Sequence, residues 1–228
     1  MAARREIICR DETLILDHRR CVFWPSQKIL LLADVHLGKE AVFQRRGMAI
    51  PDGIAEKNLS LIEQLLREYR PSQLLVLGDL VHALPSAREN WIDHLGNLLA
   101  DFASTNFTVV SGNHDKPGTA NRLPDSICWT SALELPPFRF RHEPAQTPSD
   151  SDKLYTVCGH LHPCFTLRLR KGPSIRMPVF WVGSQQMVLP AFGEFTGMHV
   201  IRPARHDQYF GVGPDGIVEL SPRQSTSA

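Results

Sequence analysis

Short apolar runs that end abruptly at small or polar residues recur along the chain. Four runs of four or five residues, at 29–33, 74–77, 107–110 and 155–158, are followed directly by Asp, Gly or Ser. Continuous apolar runs of this length are typical of strands that are buried on both faces. They predict a sheet with a layer of structure on each side.

Two longer stretches between these runs have the period of an amphipathic helix. In residues 53–68, and again in residues 87–102, apolar side chains recur on one face while charged side chains occupy other positions. Pro71 follows the first stretch and stops it. Strands that alternate with helices in this way predict an α/β layer fold.

The ends of the chain carry shorter segments with strand character. Residues 6–8, 14–16 and 22–24 predict flanking strands, and residues 178–200 predict further strand interrupted by Gly and Pro. Residues 143–153 predict a polar loop, and the last eight residues predict a frayed tail.

Composition and charge are those of an ordinary globular protein. The 228 residues are 43% hydrophobic and 21% charged, and without a repeat or a dividing linker they predict one domain over residues 1–228. The formal net charge is +1, so no strong overall field draws the protein to nucleic acid or to an anionic membrane. Binding to a polyanion would need local clusters of Lys and Arg.

Cysteine usage and the N-terminus favour the cytoplasm. The five cysteines are odd in number and scattered, and they form no Cys-x-x-Cys pair, as expected for reduced thiols. The N-terminal residues lack the apolar core of a signal peptide, and no stretch approaches the roughly 20 apolar residues of a spanning helix. We therefore expect a soluble, cytoplasmic protein.

Residue types that bind metals follow each of the four apolar runs. In chain order these are Asp34-Val35-His36, Gly78-Asp79, Gly112-Asn113-His114-Asp115 and Gly159-His160-Leu161-His162. Ligands bind beyond the carboxyl ends of strands in open α/β sheets, so we expect the four loops to meet. Asp-x-His or Gly-Asp alone is more often a helix cap or a turn, but all four in this order indicate a metal centre.

These motifs resemble those of the calcineurin-like metallophosphoesterase superfamily, over about residues 29–200. The superfamily's motifs run Asp-x-His, Gly-Asp, Gly-Asn-His-Asp or Gly-Asn-His-Glu, a lone His, and Gly-His-x-His. The resemblance implies a four-layer α/β/β/α sandwich of two mixed β-sheets. In many members the second motif continues to Gly-Asp-x-x-Asp, whereas here it reaches His82. The side chain of His82 either approaches the site or lies on the surface.

The resemblance also implies which residues hold two divalent metal ions. The implied ligands are Asp34, His36 and His162 for one ion, Asn113, His160 and the lone histidine for the other, and Asp79 between them. The lone histidine is best placed at His142, at the end of an alternating segment, and His94 in the predicted second helix is the alternative. No motif supports His18, His199 or His206.

The donor types and the neighbours of the ligands suggest the chemistry. Imidazole, carboxylate and amide oxygen suit Mn, Fe, Zn or Co, and we expect manganese. Two ions about 3.5–4 Å apart can lower the pKa of a shared water and clamp phosphate oxygens. His114 would donate a proton to the leaving group or a hydrogen bond to a phosphate oxygen, and Asp115 would orient the His114 ring.

Further segments resemble the bacterial DNA-ligase-associated metallophosphoesterases. They are residues 36–51, the His-Glu-Pro at 142–144, the Pro163 that follows His162, and residues 189–197. This resemblance implies an endonuclease in DNA repair that works beside a ligase and a helicase. A phosphodiesterase or pyrophosphatase for small nucleotide or lipid-sugar substrates is the alternative, and a non-catalytic metal-binding scaffold is a third hypothesis.

Basic residues near the motifs are candidates for contact with DNA. They are Lys39, Arg45 and Arg46 after the first motif, and Arg168, Arg170 and Lys171 after the last. The second group belongs to residues 166–176, which predict a hairpin directly after the last motif. A local basic stripe of this kind suits a nucleic acid backbone, although a solvated strand face would have the same composition.

Overall fold

Two β-sheets form the framework of the protein. The computed structural model describes residues 2–84, 90–115, 118, 121–145, 153–168, 172–194, 196–202 and 204–220. The first sheet consists, in spatial order, of β1 (Arg4–Cys9), β2 (Glu12–Asp17), β3 (Cys21–Trp24), β4 (Ile29–Leu32), β5 (Gln73–Leu77), β6 (Asn106–Val110) and β7 (Ile127–Thr130). Strands β1 to β4 pair antiparallel, and β4 to β7 pair parallel, so this sheet is mixed.

The second sheet is also mixed. Its strands are β8 (Leu133–Leu135), β9 (Phe138–Phe140), β10 (Tyr155–Cys158), β11 (Pro163–Arg168), β12 (Ser174–Val182), β13 (Gln186–Val188), β14 (His199–Val200), β15 (Gln208–Gly213) and β16 (Gly216–Leu220). Their order is β14-β11-β12-β13-β10-β9-β8, and β15 pairs with both β12 and β16. Strand β10 pairs parallel with β9 and β13, while β12 runs antiparallel to β11, β13 and β15.

Helices cover the first sheet on one face, and the second sheet covers it on the other. The helices are α1 (Lys39–Arg45), α2 (Ile54–Tyr69) and α3 (Trp91–Asp101). Leu30 and Leu32 of β4 pack in a cluster with residues of α2 and α3, whereas Ile29 and Leu31 pack with residues of the second sheet. Because side chains alternate along a strand, a strand between two apolar layers must be apolar throughout. This explains the predicted strands β4, β5 and β6. The fourth, β10, lies in the second sheet, where Tyr155 and Val157 pack toward the first sheet and Thr156 and Cys158 are also buried.

The fold class predicted from the resemblance is confirmed, with one difference in the layers. The protein has two mixed sheets that pack against each other, with helices on the other face of the first sheet. Within the described ranges, helical residues enter only the apolar cluster on the first sheet. The outer face of the second sheet instead carries its own cluster, which includes Phe165, Val179 and Tyr209. The second helical layer of the expected sandwich is not formed by the described part of the chain.

The predicted elements agree with the structure at most places. Helix α2 begins at Ile54 because Gly53 is its N-cap, and α3 occupies the described part of the second helical stretch. The predicted hairpin is the antiparallel pair of β11 and β12. Helix α1 and strands β7, β8, β15 and β16 were not predicted. Residues 87–89 of the second helical prediction, residues 146–152 of the polar loop and the last eight residues lie outside the described ranges.

The three helices differ from membrane-spanning helices in length and polarity. Among the described residues, no helix combines sufficient length with a sufficiently apolar composition to cross a bilayer.

Candidate metal centre

Loops from both sheets meet at one edge of the sandwich. Asp34 and His36 follow β4, and Asp79 follows β5, so their loops leave neighbouring parallel strands at the same end. The two loops continue to pair beyond the strands, because the His36 N–H donates to the Asp79 carbonyl at 2.8 Å. The motif after β6 and the motif after β10 complete the edge. The structure therefore brings all four predicted motifs together.

Asp34, His36 and His162 form one group that could hold a metal ion. One potential ligand atom of each lies within 4.8 Å of those of the other two. The Nε2 atoms of His36 and His162 are 3.4 Å apart, and His162 Nε2 is 3.3 Å from Asp34 Oδ1. Asp34 and His36 are buried and His162 is partly buried, so His162 is the member of the group nearest to solvent.

A second group adjoins the first and shares Asp34 with it. Asp34, Asp79 and His142 also offer ligand atoms that lie within 4.8 Å of one another. His142 Nε2 is 2.9 Å from Asn113 Oδ1 and 3.0 Å from His160 Nδ1. The structure thus places His142, rather than His94, beside the other predicted ligands, and His94 lies within α3.

The carboxylate of Asp79 faces both groups. Asp79 Oδ2 is 3.8 Å from His36 Nε2 and 3.6 Å from His142 Nε2. Its other oxygen accepts a hydrogen bond from the backbone N–H of His114 at 2.8 Å, which fixes the orientation of the carboxylate. The Asp79 carboxylate therefore lies close to potential ligand atoms of both groups.

The donor atoms suit divalent cations. Asp34 Oδ1 is buried and has no hydrogen-bond partner among the described residues, which is costly for a carboxylate unless a cation lies beside it. Burial, followed by the positive charge of Lys39, lowers the pKa of His36, so its imidazole stays neutral and offers a lone pair. Oxygen and neutral imidazole donors in this arrangement fit ions such as Mn²⁺, Fe²⁺ or Zn²⁺.

Two backbone carbonyls orient histidine rings toward the site. His142 Nδ1 is 3.2 Å from the Leu77 carbonyl oxygen, and His162 Nδ1 is 2.8 Å from the Gly197 carbonyl oxygen. An N–H at Nδ1 that donates to each carbonyl leaves Nε2 unprotonated and available to a metal.

The loops hold several motif residues in a left-handed backbone conformation. These residues are Asp34 (φ 54°), His36 (φ 53°), Asp79 (φ 49°), His160 (φ 69°) and His162 (φ 48°). Residues other than Gly seldom adopt this conformation, which costs energy and is concentrated at functional sites. Hydrogen bonds around these residues stabilise the left-handed conformation, and this conformation directs the potential metal-binding atoms toward one another.

Comparison with known families identifies the fold and the site. A family model of the calcineurin-like phosphoesterases matches residues 27–183, a range that contains all four motifs. The chain belongs to the calcineurin-like phosphoesterase family. It is accordingly a metal-dependent phosphoesterase.

Solved structures of other phosphoesterases resemble the chain to different degrees. The nuclease MPE of Pseudomonas putida is 32% identical, with 95% of this chain and 100% of that chain covered and a TM-score of 0.78. YfcE, a phosphoesterase from E. coli, is 15% identical, with 88% and 96% covered and a TM-score of 0.40. A comparison with curated protein sequences gave no significant match.

Glycine in the third motif of this phosphoesterase is required by close packing. A Cβ atom at Gly112 would overlap the side-chain carboxylate and the backbone N of Asp79. Only a residue without a side chain lets the loop after β6 approach the loop after β5 this closely. The motif glycine therefore sets the position of a potential metal ligand in the loop after the neighbouring strand.

We expect Gly112→Ala to damage the site and the fold together. The added methyl must displace Asp79, so activity should fall at least about tenfold, and overpacking should lower the free energy of unfolding by about 1–3 kcal/mol. Gly96→Ala is the matched control, because a Cβ at Gly96 in α3 meets nothing within 4 Å. Wild-type turnover and metal content in Gly112→Ala would show that Asp79 does not need this close packing.

The ring of His114 lies in an open pocket at the centre of the phosphoesterase site. The pocket has a volume of about 370 Å³ and is also lined by Lys39 and Asp79. The ring of His82 packs against that of His114 with centroids 4.4 Å apart and planes 33° apart. His82 Nδ1 is 3.4 Å from His36 Nδ1. His82 thus approaches the site, which settles the two possibilities that the sequence left open.

Asp115 contacts backbone groups rather than the His114 ring that was predicted as its partner. Its carboxylate accepts hydrogen bonds from the N–H of Val81 at 3.0 Å and from the N–H of Gly112 at 2.9 Å. Burial raises the pKa of Asp115. The residue therefore holds the loops after β5 and β6 together, and the rings that contact His114 are those of His82 and His36.

The predicted basic residues divide into three sets. Lys39 lines the pocket, and burial lowers the pKa of its ammonium group while Asp79 and Asp34 oppose that shift. Arg45 and Arg46 are exposed at the end of α1 and do not line it. Arg168 lies at the end of β11, where its side chain is not described, and Arg170 and Lys171 lie outside the described residues.

Described residues of the segment 189–197 support the site in a way that the sequence did not predict. The Phe192 N–H donates to the Ala33 carbonyl at 2.8 Å, and the Gly193 N–H donates to the Asp34 carbonyl at 3.1 Å. Gly197, Met198 and His199 line the pocket as well. In the sequence, this segment was noted only for its resemblance to the ligase-associated branch. No local pattern in it indicates contact with the loop of Asp34, more than 150 positions earlier.

Proposed function

We propose that this phosphoesterase is a DNA-directed phosphodiesterase that works with two divalent metal ions. The observation that carries the proposal is the open pocket in which His114 and Lys39 lie beside both groups of metal-binding side chains. An open pocket admits a polymer that continues on both sides of the bond to be cut. The similarity to the Pseudomonas putida nuclease, which extends over 95% of this chain, supports nucleic acid as the substrate.

We assign the metal ligands as follows. One ion would be held by Asp34, His36 and His162, the other by Asn113, His142 and His160, and Asp79 would contact both. When bound, the two ions supply an activated water and neutralise negative charge on the phosphate.

The remaining residues act on the substrate. Burial lowers the pKa of Lys39, the nearby carboxylates of Asp79 and Asp34 oppose that shift, and the residue would bind a non-bridging phosphate oxygen. His114 is partly exposed in the pocket and would donate a proton to the leaving oxygen. The ring of His82 limits the rotation of the His114 ring and so keeps this donor in place.

The test of the proposed function compares three substrates on one metal-loaded preparation. We expect single-stranded DNA and bis-p-nitrophenyl phosphate to be hydrolysed faster than p-nitrophenyl phosphate, because a monoester carries a second negative charge and Lys39 is the only Lys or Arg among the described residues that line the pocket. Hydrolysis of the chromogenic diester without any cleavage of DNA would instead favour the small-molecule phosphodiesterase. A faster rate on the monoester would contradict both.

We expect activity to require added divalent ions and manganese to support it best. A chelator should abolish turnover, and Mn²⁺ should restore more activity than Mg²⁺, because Mg²⁺ binds imidazole poorly whereas the site offers four imidazole rings. Metal analysis gives the number of bound ions, and a titration of activity against each added metal gives the metal requirement and the preferred metal. Full turnover by a protein that holds a single zinc ion would contradict the two-metal assignment.

We further propose a cytoplasmic location and a role in DNA repair beside a ligase and a helicase. Four of the five free cysteines are buried, and burial raises the pKa of Cys9 to about 11, so these thiols resist oxidation and suit a reducing compartment. The repair role rests on the resemblance of segments such as residues 189–197 to the ligase-associated branch. Co-purification of the tagged protein with a ligase or a helicase is the test.

A further inference from the structure

A second cavity lies at the same edge of the sandwich as the metal centre. We call it the Arg20 cavity; it has a volume of about 450 Å³. Its lining comes from the β2–β3 turn, from α2, from residues 192–194 and from the β15–β16 turn, and it includes His18, Arg20, Lys57 and Glu194.

The pairing of the strands shows that both sites share one edge. Strand β3 is antiparallel to β4, with Val22 opposite Leu31, so the β2–β3 turn lies beside the end of β4 that leads to Asp34. Strand β15 is antiparallel to β12, which is antiparallel to β13, and β13 is parallel to β10. Strand β15 therefore ends where β10 ends, and the β15–β16 turn lies on the side of the metal centre.

A short segment separates the two sites and contacts both. Phe192 and Glu194 line the Arg20 cavity, whereas Gly197 lines the pocket of the metal centre and accepts a hydrogen bond from His162. Glu194 and Gly197 are three residues apart, a distance of at most about 11 Å along an extended chain. Adjacent phosphates of a single strand are several ångströms apart, so a few nucleotides span this separation.

The cavity contains positive charge with few partners. The partly buried guanidinium of Arg20 makes one long hydrogen bond, at 3.4 Å to the Ala191 carbonyl oxygen, and the described residues give it no other. A guanidinium has five N–H donors, so most of the donors of Arg20 remain available. Burial lowers the pKa of Arg20, and the carboxylate of Glu194 opposes that shift.

The other basic residues that line the cavity differ in whether their charged groups already have partners. Lys57 is exposed, and the described part of the chain gives it no ion pair or side-chain hydrogen bond. Arg19, by contrast, is occupied by Asp17 at 2.7 Å and by Glu68 at 2.7 Å. Arg20 and Lys57 are therefore the cations that can bind an anion from outside.

We propose that the Arg20 cavity binds a backbone phosphate of the nucleic acid strand whose scissile phosphate lies at the metal centre. The proposal deepens the proposed function and rests on it. A planar guanidinium binds phosphate through two parallel hydrogen bonds, and Lys57 adds a point charge. The cavity favours substrates long enough to place one phosphate at each site.

The test is the double variant Arg20→Gln with Lys57→Gln, assayed as the full chain with metal bound. For a single-stranded 20-mer we expect KM to rise about tenfold with kcat within twofold. The salt dependence of binding should also weaken, by about 0.7 units of slope for each phosphate that the variant no longer binds. Hydrolysis of bis-p-nitrophenyl phosphate, which has no second phosphate, should stay within twofold.

The matched control is Lys28→Gln with Arg70→Gln. It removes two positive charges at the opposite edge, where Lys28 precedes β4 and Arg70 is the C-cap of α2. Arg70 also has a left-handed backbone conformation like that of Arg20, with φ of 45° and 63°, so any backbone strain from the change to Gln is matched in the two variants. Equal effects of the two double variants on the 20-mer would mean that total charge, and not the cavity, is responsible.

Glu194→Gln separates phosphate binding from a purely structural ion pair. If the cavity binds phosphate, removal of the competing carboxylate should lower KM for the 20-mer. If Arg20 and Glu194 only hold residues 192–197 against the loop of Asp34, Glu194→Gln should reduce hydrolysis of both substrates, as Arg20→Gln would, and the proposal is overturned. A wild type that cuts no DNA refutes the proposed function itself, whereas DNA cleavage that the double variant leaves unchanged refutes only the cavity.

Discussion

Replacement of His114 by Ala should reduce the cleavage of DNA by about 10²–10⁴-fold, the usual contribution of a general acid. A deoxyribose oxygen is a poor leaving group unless it receives a proton, and the ring of His114 lies in the pocket beside Lys39 and Asp79. Nitrophenolate leaves without a proton, so the loss on bis-p-nitrophenyl phosphate should be much smaller. Rates on both substrates, measured with the same metal-loaded preparation, give the two ratios.

The control for this prediction is His94→Ala, which removes a histidine from α3 outside both groups of potential ligands. Metal content should be unchanged in both variants. His114→Ala removes only the ring, so the backbone N–H that donates to Asp79 remains. Equal losses on the good and the poor leaving group would mean that His114 binds the phosphate and does not donate a proton.

Replacement of Asp79 by Asn should have the largest effect of any single change, with activity at background and with both ions weakened. The carboxylate lies within 3.8 Å of a ring nitrogen in each group, so its charge acts on two ions. Loss of residues that merely orient a ligand costs about 10–100-fold in metal affinity, and loss of a shared ligand should cost more for each ion. Metal analysis after gel filtration, with titration of each binding step, measures the effect.

Asp34→Asn is the comparison for Asp79→Asn. Asp34 Oδ1 is 3.3 Å from His162 Nε2, whereas its 3.8 Å approach to His142 is to Nδ1, the nitrogen that faces the Leu77 carbonyl and not the one available to a metal. Asp34 Oδ2 accepts the backbone N–H of His160 at 2.8 Å, a hydrogen bond that Asn can keep through its carbonyl oxygen. We therefore expect Asp34→Asn to weaken one ion more than the other. A variant of Asp79 that keeps one ion at wild-type affinity would show that Asp79 is not shared.

The strands around the site could be predicted because they are buried on both faces. Each of β4, β5, β6 and β10 contains a run of four buried residues that ends just before a motif with potential metal ligands, and both features are visible in the local sequence. The sequences of β15 and β16 lack a continuous apolar run followed by potential metal ligands. The segment of β15 contains two glycines, and its pairing partner β12 lies about thirty positions earlier in the chain.

The site was predicted less evenly than the strands. His142 was preferred to His94 because it follows a segment in which apolar and basic residues alternate. In the structure its Nε2 lies 3.0 Å from His160 Nδ1, as expected if both rings bind one ion. Asp115 was predicted to orient the ring of His114, its neighbour in sequence, whereas in the structure its carboxylate accepts hydrogen bonds from backbone N–H groups. Adjacent residues at the end of a strand point in different directions, so adjacency in sequence does not imply contact between side chains.

The candidate ligands are divided between the two sheets, and this bears on how the protein folds. Asp34, Asp79 and Asn113 follow strands of the first sheet, whereas His142, His160 and His162 follow strands of the second, and the paired rings of His36 and His162 are 126 positions apart. Neither sheet carries the complete set of candidate ligands. High-affinity metal binding therefore requires the two sheets to be packed together, and it can be used to follow that step of folding. Each bound ion in turn closes a long loop of the chain, and it stabilises the interface between the sheets only after the slow, non-local contacts have formed.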